Sequence, residues 1–212
     1  MDRETTVTYS KRFSSKFFTK LLQPAGNNPV RNRASSFEII FEELDKKEDK
    51  NYLIVETGTM RNDHGNLAFG DDGASTYIWD DFINFYDGKV KSVDISQDNV
   101  DYANSMTSDK TEVICSDSVK YLWSLPKEEK IDFLYLDSYD INKNNPHPSQ
   151  LHHVKEMCAA IDKLREGSLV CIDDHDAFFT GGKIGKGTYV KYFMEDIGAE
   201  LLHEDYQIIW RM

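Results

Sequence analysis

The chain has 212 residues and a formal net charge of −12, and 40% of its residues are apolar. This length and apolar content predict one globular domain with a substantial buried core rather than a disordered segment. The acidic balance argues against a nucleic-acid phosphate backbone as the main partner, because such binding relies on clustered Lys and Arg side chains. We therefore expect a partner other than nucleic acid.

The number of cysteines and the absence of long apolar runs indicate the cellular compartment in which the protein is expected. Cys115, Cys158 and Cys171 are scattered and odd in number, which predicts a reducing compartment, the cytoplasm, without a disulfide framework or a zinc site. No apolar run approaches the roughly 20 residues that span a bilayer, and the N-terminus lacks an apolar signal segment. We expect no membrane partner.

The first 33 residues are mostly polar, and Pro and Gly residues between positions 24 and 29 interrupt any long element. We expect an N-terminal extension over residues 1–33, with one short helix near 17–22. The basic residues from Lys11 to Arg33 are widely spaced, which favours a solvated arm over a binding patch. Residues 34–212 are expected to form the folded domain, and its first helix would be capped by Ser35 or Ser36.

From residue 52 onward, short apolar runs alternate with helical patterns. The runs YLIVE, VKSVD, EVIC, IDFLYLD and SLVCIDD are typical of buried strands. Helices are predicted between them over residues 75–86, 96–106, 118–125 and 149–164. This alternation predicts an α/β fold with a doubly wound, Rossmann-like, mostly parallel sheet. A last helix over 183–197 and an antiparallel hairpin turning near Glu204 would complete seven strands.

The first two predicted strands end in residues suited to a nucleoside. Gly58, in VETGT, would let the backbone approach a ligand closely, although an ordinary strand-to-loop turn explains it equally well. Asp94, at the tip of the second strand, could accept hydrogen bonds from both ribose hydroxyls. Asp94 could instead cap the next helix, but Ser96 is better placed to do so. The single glycine does not match the three-glycine dinucleotide motif.

Three further segments carry weaker signals. Asp117 and Ser118 follow the third strand, where an adenine edge would lie, but a helix N-cap is an equally good interpretation. His152 and His153 lie in a helical stretch, and we expect one of them to face solvent rather than a ligand. The glycine-rich stretch 181–187 lacks the spacing of a phosphate-binding loop, so we interpret it as a mobile lid.

Carboxylates follow the fourth and fifth predicted strands. Asp137 and Asp140 follow the fourth strand, and Asp173 and Asp174 follow the fifth, with a histidine and another aspartate directly behind. The ends of neighbouring strands lie about 5 Å apart, so these groups should converge at one spot. Such a cluster is costly unless some groups are protonated or a cation neutralises them. Oxygen ligands favour Mg²⁺ or a similar cation, and a metal-free acidic pocket is the alternative.

In this order the motifs resemble class I S-adenosylmethionine-dependent methyltransferases over about residues 37–212. VETGT stands at the first motif of the family, Asp94 at the acidic strand tip, and LYLDSYD after the fourth strand. The combination of Asp137 with Asp173 and Asp174 is similar to metal-dependent O-methyltransferases of the catechol, caffeoyl-CoA and macrocin types. Asp140 departs from the catechol type, which has a lysine base there. A long insert also follows the first motif.

The resemblance implies methyl transfer from S-adenosylmethionine to a hydroxyl group of a small-molecule acceptor, assisted by Mg²⁺ or another divalent metal. The metal would lie on Asp137, Asp173 and Asp174, and Asp140 or His175 would accept the proton. The cofactor would be held by Glu56, Gly58, Thr59, Ser75, Asp94, Asp117, Ser118 and Asp137.

Two rival functions stay open at this point, and the chain could also form a homodimer. A nicotinamide-dependent oxidoreductase would use the same fold, but the missing glycines count against it. A non-catalytic nucleoside-binding or structural relative would also keep the fold. The dense acidic cluster argues against such a relative, because neutral drift has no reason to retain an electrostatically costly group.

Overall fold

The structure is a computed structural model, and it describes residues 7–22, 33–61, 67, 69, 72–178 and 180–212. Seven strands form one sheet, in the order β3-β2-β1-β4-β5-β7-β6. The strands are β1 (Asn51–Thr57), β2 (Asp87–Asp94), β3 (Thr111–Cys115), β4 (Phe133–Leu136), β5 (Leu169–Ile172), β6 (Glu200–Glu204) and β7 (Ile208–Arg211). The first five strands run parallel, whereas β7 is antiparallel to both β5 and β6. The predicted fold class is confirmed.

Eight α-helices accompany the sheet in the described residues: α1 (Tyr9–Lys16), α2 (Phe18–Leu21), α3 (Ala34–Leu44), α4 (Ser75–Phe85), α5 (Gln97–Met106), α6 (Ser118–Ser124), α7 (His147–Ala160) and α8 (Thr188–Asp196). The last of these begins later than predicted, because the glycine-rich stretch before it is not helical. None of these described helices has both the length and the apolar character needed to cross a membrane.

The two faces of the sheet carry two separate apolar cores. Successive strand residues alternate between them, as the two-residue period of a strand requires. Tyr135 of β4 packs in the core formed with α1, α3 and α4. Its neighbours Leu134 and Leu136 pack in the core formed with α6, α7 and α8. Helices therefore cover both faces, as predicted.

The N-terminal segment does not form a solvated arm. Tyr9, Phe13, Phe17 and Leu21 are almost fully buried in the first core. They recur every four residues, which places them on one side of a helix. Arg12 and Lys16 lie on the other side and pair with Asp81 of α4, the former at 2.8 Å. The interpretation as an arm is therefore wrong for residues 7–22, whereas the division of the chain at residue 33 stays a prediction.

The parallel register brings the carboxyl ends of the strands to one edge. Thr57 of β1 pairs with Val93 of β2 and with Leu136 of β4, and Leu136 pairs with Ile172 of β5. The residues that directly follow these four therefore lie side by side. They are Gly58, Asp94, Asp137 and Asp173.

The packing of α1 predicts a large effect of Phe13→Ala. Removing this buried ring should lower the free energy of unfolding by about 3–5 kcal/mol, since Phe truncations in cores cost this much. Urea denaturation measures the change. Lys11→Ala, at an exposed position of the same helix, is the control and should stay within about 0.5 kcal/mol of the wild type. A Phe13→Ala protein as stable as this control would contradict the packing.

Candidate cofactor and active site

A cleft of about 490 Å³ opens at the carboxyl edge of the sheet. It lies at the ends of β1, β2, β3 and β4, the place where open α/β sheets bind ligands. Most of the residues proposed from the sequence as cofactor ligands line it: Gly58, Thr59, Asp94, Asp117, Ser118 and Asp137.

The carboxylate of Asp94 is held rigidly at the tip of β2. Its Oδ1 accepts a hydrogen bond from the backbone N–H of Ser96 at 2.7 Å, and its Oδ2 accepts one from the N–H of Thr59 at 3.2 Å. The side-chain amide of Asn99 donates at 3.3 Å. Ser96 caps α5, as predicted. The Asp94 carboxylate is thus oriented at the wall of the cleft before any ligand binds.

Gly58 is required by the close approach of two strands. Its φ is +80°, and a Cβ built on it would lie 2.6 Å from the backbone oxygen of Asp137. A larger residue would therefore push β1 away from β4. The same absence of a side chain leaves backbone exposed at the floor of the cleft, so the two interpretations offered for this glycine are compatible.

Asp117 and Ser118 make different contacts at the end of β3. Asp117 caps α6, because its Oδ1 accepts a hydrogen bond from the N–H of Lys120 at 2.8 Å. The hydroxyl of Ser118 lies 2.9 Å from Nε2 of His152. His152 is partly exposed and lines the cleft, whereas His153 is buried. Neither histidine is fully exposed, and the partly exposed His152 borders the cleft, whereas the prediction had one of them facing solvent.

The structure shows a buried carboxylate behind the cleft that the sequence analysis did not identify. Glu156 is fully buried, and its Oε1 accepts a hydrogen bond from the hydroxyl of Ser138 at 2.6 Å and lies 3.4 Å from Nε2 of His152. Burial opposes its charged form, but the hydrogen bond from His152 and the electrostatic influence of the two histidine rings lower the pKa of Glu156 to about 2. The spacing of His152 and Glu156, four residues apart, was the available signal.

Glu56 and Ser75 do not line the cleft. The Glu56 carboxylate is fully buried and accepts four hydrogen bonds, which come from Ser75, Thr76, Trp79 and Ser92 at 2.6–3.0 Å. Burial raises the pKa of Glu56 to about 7 despite these four donors. The cofactor contacts proposed for Glu56 and Ser75 are therefore not supported by the geometry. Glu56 instead connects β1 to β2 and α4 through its hydrogen bonds.

The predicted convergence of carboxylates is confirmed for Asp137, Asp173 and Asp174, but not for Asp140, which is exposed and lies outside the cluster. Ligand atoms of Asp137, Asp173 and Asp174 all lie within 4.8 Å of one another, at the ends of β4 and β5. Asp174 has a φ of 49°, an unusual conformation for a non-glycine residue. Like charges this close repel each other strongly unless positive charge lies between or beside them.

Two basic side chains supply that positive charge. Nη2 of Arg33 lies 2.6 Å from Oδ2 of Asp173, and its Nε lies 3.1 Å from both oxygens. Nζ of Lys186 lies 2.6 Å from Oδ1 of Asp137 and 3.2 Å from Oδ2 of Asp174. Arg33 and Lys186 are 6% and 1% exposed. Every carboxylate of the cluster therefore has a buried cationic partner, which the sequence did not suggest.

The protonation states follow from these pairs. Burial and the neighbouring Asp173 charge raise the pKa of Asp137 well above its usual value, although Lys186 opposes this shift. Burial also disfavours the charged form of Asp174, but Lys186 and Arg33 outweigh it and lower the pKa of that carboxyl. The ammonium of Lys186 is desolvated, yet Asp137 and Asp174 hold its pKa above the usual range. Lys186 is thus a cation throughout the neutral range.

The two residues proposed as proton acceptors have different surroundings. Asp140 is exposed and lines both the cleft and a neighbouring cavity of about 220 Å³ that also contains Ile141, Phe178 and Tyr206. His175 is fully buried, lines neither space, and contacts Oε1 of Glu204 at 3.2 Å. Of these two residues, the geometry favours Asp140.

The glycine-rich stretch 181–187 wraps around His175. A Cβ on Gly182 would lie 2.2 Å from Nε2 of His175, and one on Gly185 would lie 1.6 Å from its backbone oxygen. Gly182 and Gly185 are therefore needed for close packing around His175. Motion of this stretch as a lid stays a prediction. In the structure the stretch delivers Lys186 to the acidic cluster.

Comparison with known proteins identifies the fold. No protein-family model matches the sequence, and no curated protein matches it. Among solved structures, MycE methyltransferase from the mycinamycin biosynthetic pathway, in complex with Mg, SAH and mycinamycin VI, matches 95% of the chain with a TM-score of 0.63 and 15% identity. The match covers 54% of MycE, so the chain spans about half its length.

A second solved structure has nearly the length of this chain. CalS11, described as a TDP-rhamnose 3′-O-methyltransferase of calicheamicin biosynthesis, matches 100% of the chain and 96% of its own length, with a TM-score of 0.56 and 14% identity. NSun6 from Pyrococcus horikoshii matches 82% of the chain and 50% of its own length, with a TM-score of 0.56 and 16% identity. The resemblance to class I methyltransferases is confirmed at the level of the fold.

Burial of Glu56 predicts a pH dependence of stability. Because its folded-state pKa of about 7 exceeds the ordinary value of 4.5, the native protein binds more protons than the unfolded chain between these values. Stability should fall as pH rises through this window, by on the order of 3 kcal/mol. Glu56→Gln, which has no ionisable group, should flatten the profile measured by urea denaturation at each pH. Parallel profiles for the two proteins would contradict the assignment.

Proposed function

We propose that the chain transfers a methyl group from S-adenosylmethionine to a hydroxyl group of a small molecule. The charge of the cleft is the observation that supports this most. Its described lining includes five aspartates and one arginine, Arg61, which is itself paired with Asp72 at 3.1 Å. A surface of this sign attracts a cationic ligand. S-adenosylmethionine carries a sulfonium, an ammonium and one carboxylate, so it is a net cation.

The same charge argues against the nicotinamide alternative. A dinucleotide brings a doubly charged pyrophosphate, which needs backbone N–H groups or basic side chains. The described lining of the cleft offers carboxylates such as Asp94 and Asp117 instead. A cationic cofactor gains from these carboxylates, whereas a pyrophosphate would be repelled by them.

The roles of the individual residues follow from their positions in the cleft. Asp94 would accept hydrogen bonds from the ribose hydroxyls, because three donors already fix its orientation at the tip of β2. Gly58 and Thr59 would contact the methionine portion through their backbone. Asp137, which is already paired with Lys186, would lie beside that portion. Ser118, with Asp117 beside it, would lie along the adenine.

The reaction needs alignment more than covalent chemistry. The acceptor oxygen attacks the sulfonium methyl in line, an O–C bond forms, the C–S bond breaks, and the hydroxyl proton leaves. We assign the proton to Asp140, which lines both the cleft and the neighbouring cavity. That cavity is lined mainly by charged side chains, with Ile141 and Phe178 as part of its apolar lining, which suits a polar small-molecule acceptor. The description of CalS11 as a 3′-O-methyltransferase supports a hydroxyl acceptor.

The divalent metal stays a prediction from the sequence. Asp137, Asp173 and Asp174 would be its ligands, since their oxygens are close enough to share a cation. As arranged, however, the three carboxylates are already paired with Arg33 and Lys186. These residues therefore do not fit an additional cation, and the reaction proposed here includes no step through one. Homodimer formation and a cytoplasmic location also stay predictions.

Titration calorimetry with S-adenosylhomocysteine, the demethylated product of the cofactor, tests the proposal. Asp94→Ala should weaken binding by about 1.5–3 kcal/mol, roughly 10- to 150-fold, because charge-assisted hydrogen bonds are lost. Asp98→Ala removes an equal charge from the exposed first turn of α5 and should leave the affinity unchanged. Thermal unfolding of the wild type should shift upward with ligand by mass action. Absence of this shift at millimolar ligand, or equal affinities in the two variants, would reject the cofactor.

A further inference from the structure

The acidic cluster has its positive charge built into the chain. Three carboxylates and two buried cations sum to a formal charge of −1. Each of the three carboxylates already has at least one oxygen in contact with the ammonium or the guanidinium. The cluster therefore has to be considered together with Arg33 and Lys186.

The ammonium of Lys186 lies among the oxygens of Asp137 and Asp174 that would have to coordinate a metal ion. Its Nζ contacts Oδ1 of Asp137 at 2.6 Å, the backbone oxygen of Asp137 at 3.2 Å and Oδ2 of Asp174 at 3.2 Å. Mg²⁺ requires its oxygen ligands at 2.0–2.1 Å and in near-octahedral geometry. An ammonium and a metal ion cannot both lie among these oxygens, because their centres would be closer than like charges tolerate.

Arg33 occupies the third carboxylate. Asp173 is fully buried and receives hydrogen bonds from Nε and Nη2 of Arg33 and from Nε2 of Gln207, the last at 2.7 Å. Its oxygens are therefore satisfied by the chain itself. Arg33 is also fixed, since its guanidinium lies 5.0 Å from the ring centroid of Tyr206.

The backbone around Lys186 holds it in place. Its N–H donates to the backbone oxygen of Asp174 at 3.2 Å. On either side, Cβ atoms built on Gly185 and Gly187 would lie 1.6 and 2.8 Å from atoms of His175, so the chain here has no free space. The backbone of Lys186 is therefore held beside the cluster.

We propose that Lys186 is the resident cation of the acidic cluster and takes the place of a divalent metal. It is a positioning residue: it fixes Asp137 at the cleft and Asp174 beside it, so that the carboxylates stay together without an exchangeable ion. The wild-type protein therefore binds no Mg²⁺ at this cluster. The functional part of this inference rests on the proposed methyl transfer, but the cation exchange itself does not.

Binding of Mn²⁺, followed by electron paramagnetic resonance of the free ion, tests the inference. The wild-type protein should leave the free Mn²⁺ signal unchanged at millimolar metal. In Lys186→Ala, three carboxylates face only Arg33, so one Mn²⁺ should bind, with an affinity at least about 100-fold higher than that of the wild type. Lys186→Arg restores the positive charge and should again exclude the ion. Lys183→Ala, at an exposed lysine of the same stretch, should behave as the wild type.

A stoichiometric Mn²⁺ site in the wild type that disappears in Asp174→Asn would overturn the inference. So would a folded Lys186→Ala protein that binds no Mn²⁺, because the cluster would then not be a cation site. The wild-type measurement decides the matter even where the alanine variant does not fold. Failure to bind S-adenosylhomocysteine would reject the proposed function and leave the Mn²⁺ results standing, so the two failures are distinguishable.

Discussion

The close approach of three carboxylates, one buried and two partly buried, to two buried basic side chains is the constraint on which this site depends. Asp173 and Asp174 directly follow a central strand, and an uncompensated charge at the buried Asp173 would be strongly unfavourable. Arg33 comes from the start of α3, and Lys186 comes from the stretch before α8. Electrostatic compensation therefore ties distant elements to the carboxyl edge of the sheet. Removing either cation would leave buried charge unpaired.

Two acidic residues near this edge, Glu56 and Asp94, differ in the direction of their side chains and in their hydrogen-bond partners. Glu56 points into the protein and accepts hydrogen bonds from side chains of β2 and α4. Asp94 points along the wall of the cleft, and its oxygens accept hydrogen bonds from local donors that fix its direction. Glu56 connects β1 to its neighbouring elements, and Asp94 presents an oriented carboxylate at the wall of the cleft, where the proposed cofactor would bind.

Much of the fold and part of the site could be predicted from local patterns. Short apolar runs alternate with segments of helical periodicity, and this alternation predicted the order of strands and helices along the chain. It could do so because the spacing of apolar residues reflects the geometry of a strand or of a helix. The proximity of the Asp137 and Asp173 carboxylates could be predicted from the sequence, since the carboxyl ends of neighbouring parallel strands lie at one edge of the sheet. The short helix predicted near residues 17–22 is present as α2, but α1 and the burial of this segment were missed, because a polar composition hid an apolar residue at every fourth position from Tyr9 to Leu21.

The sequence by itself determined the sheet, its carboxyl edge and the aspartates that meet there, because these follow from repeats of two to four residues. Only the tertiary structure decided how their charge is balanced. Arg33 lies 140 positions before Asp173, and Lys186 lies 49 positions after Asp137. No local pattern links such residues, since their contact depends on how helices and loops pack onto the finished sheet. The physical reason is that pairing of buried charges acts through space, whereas periodicity acts along the chain.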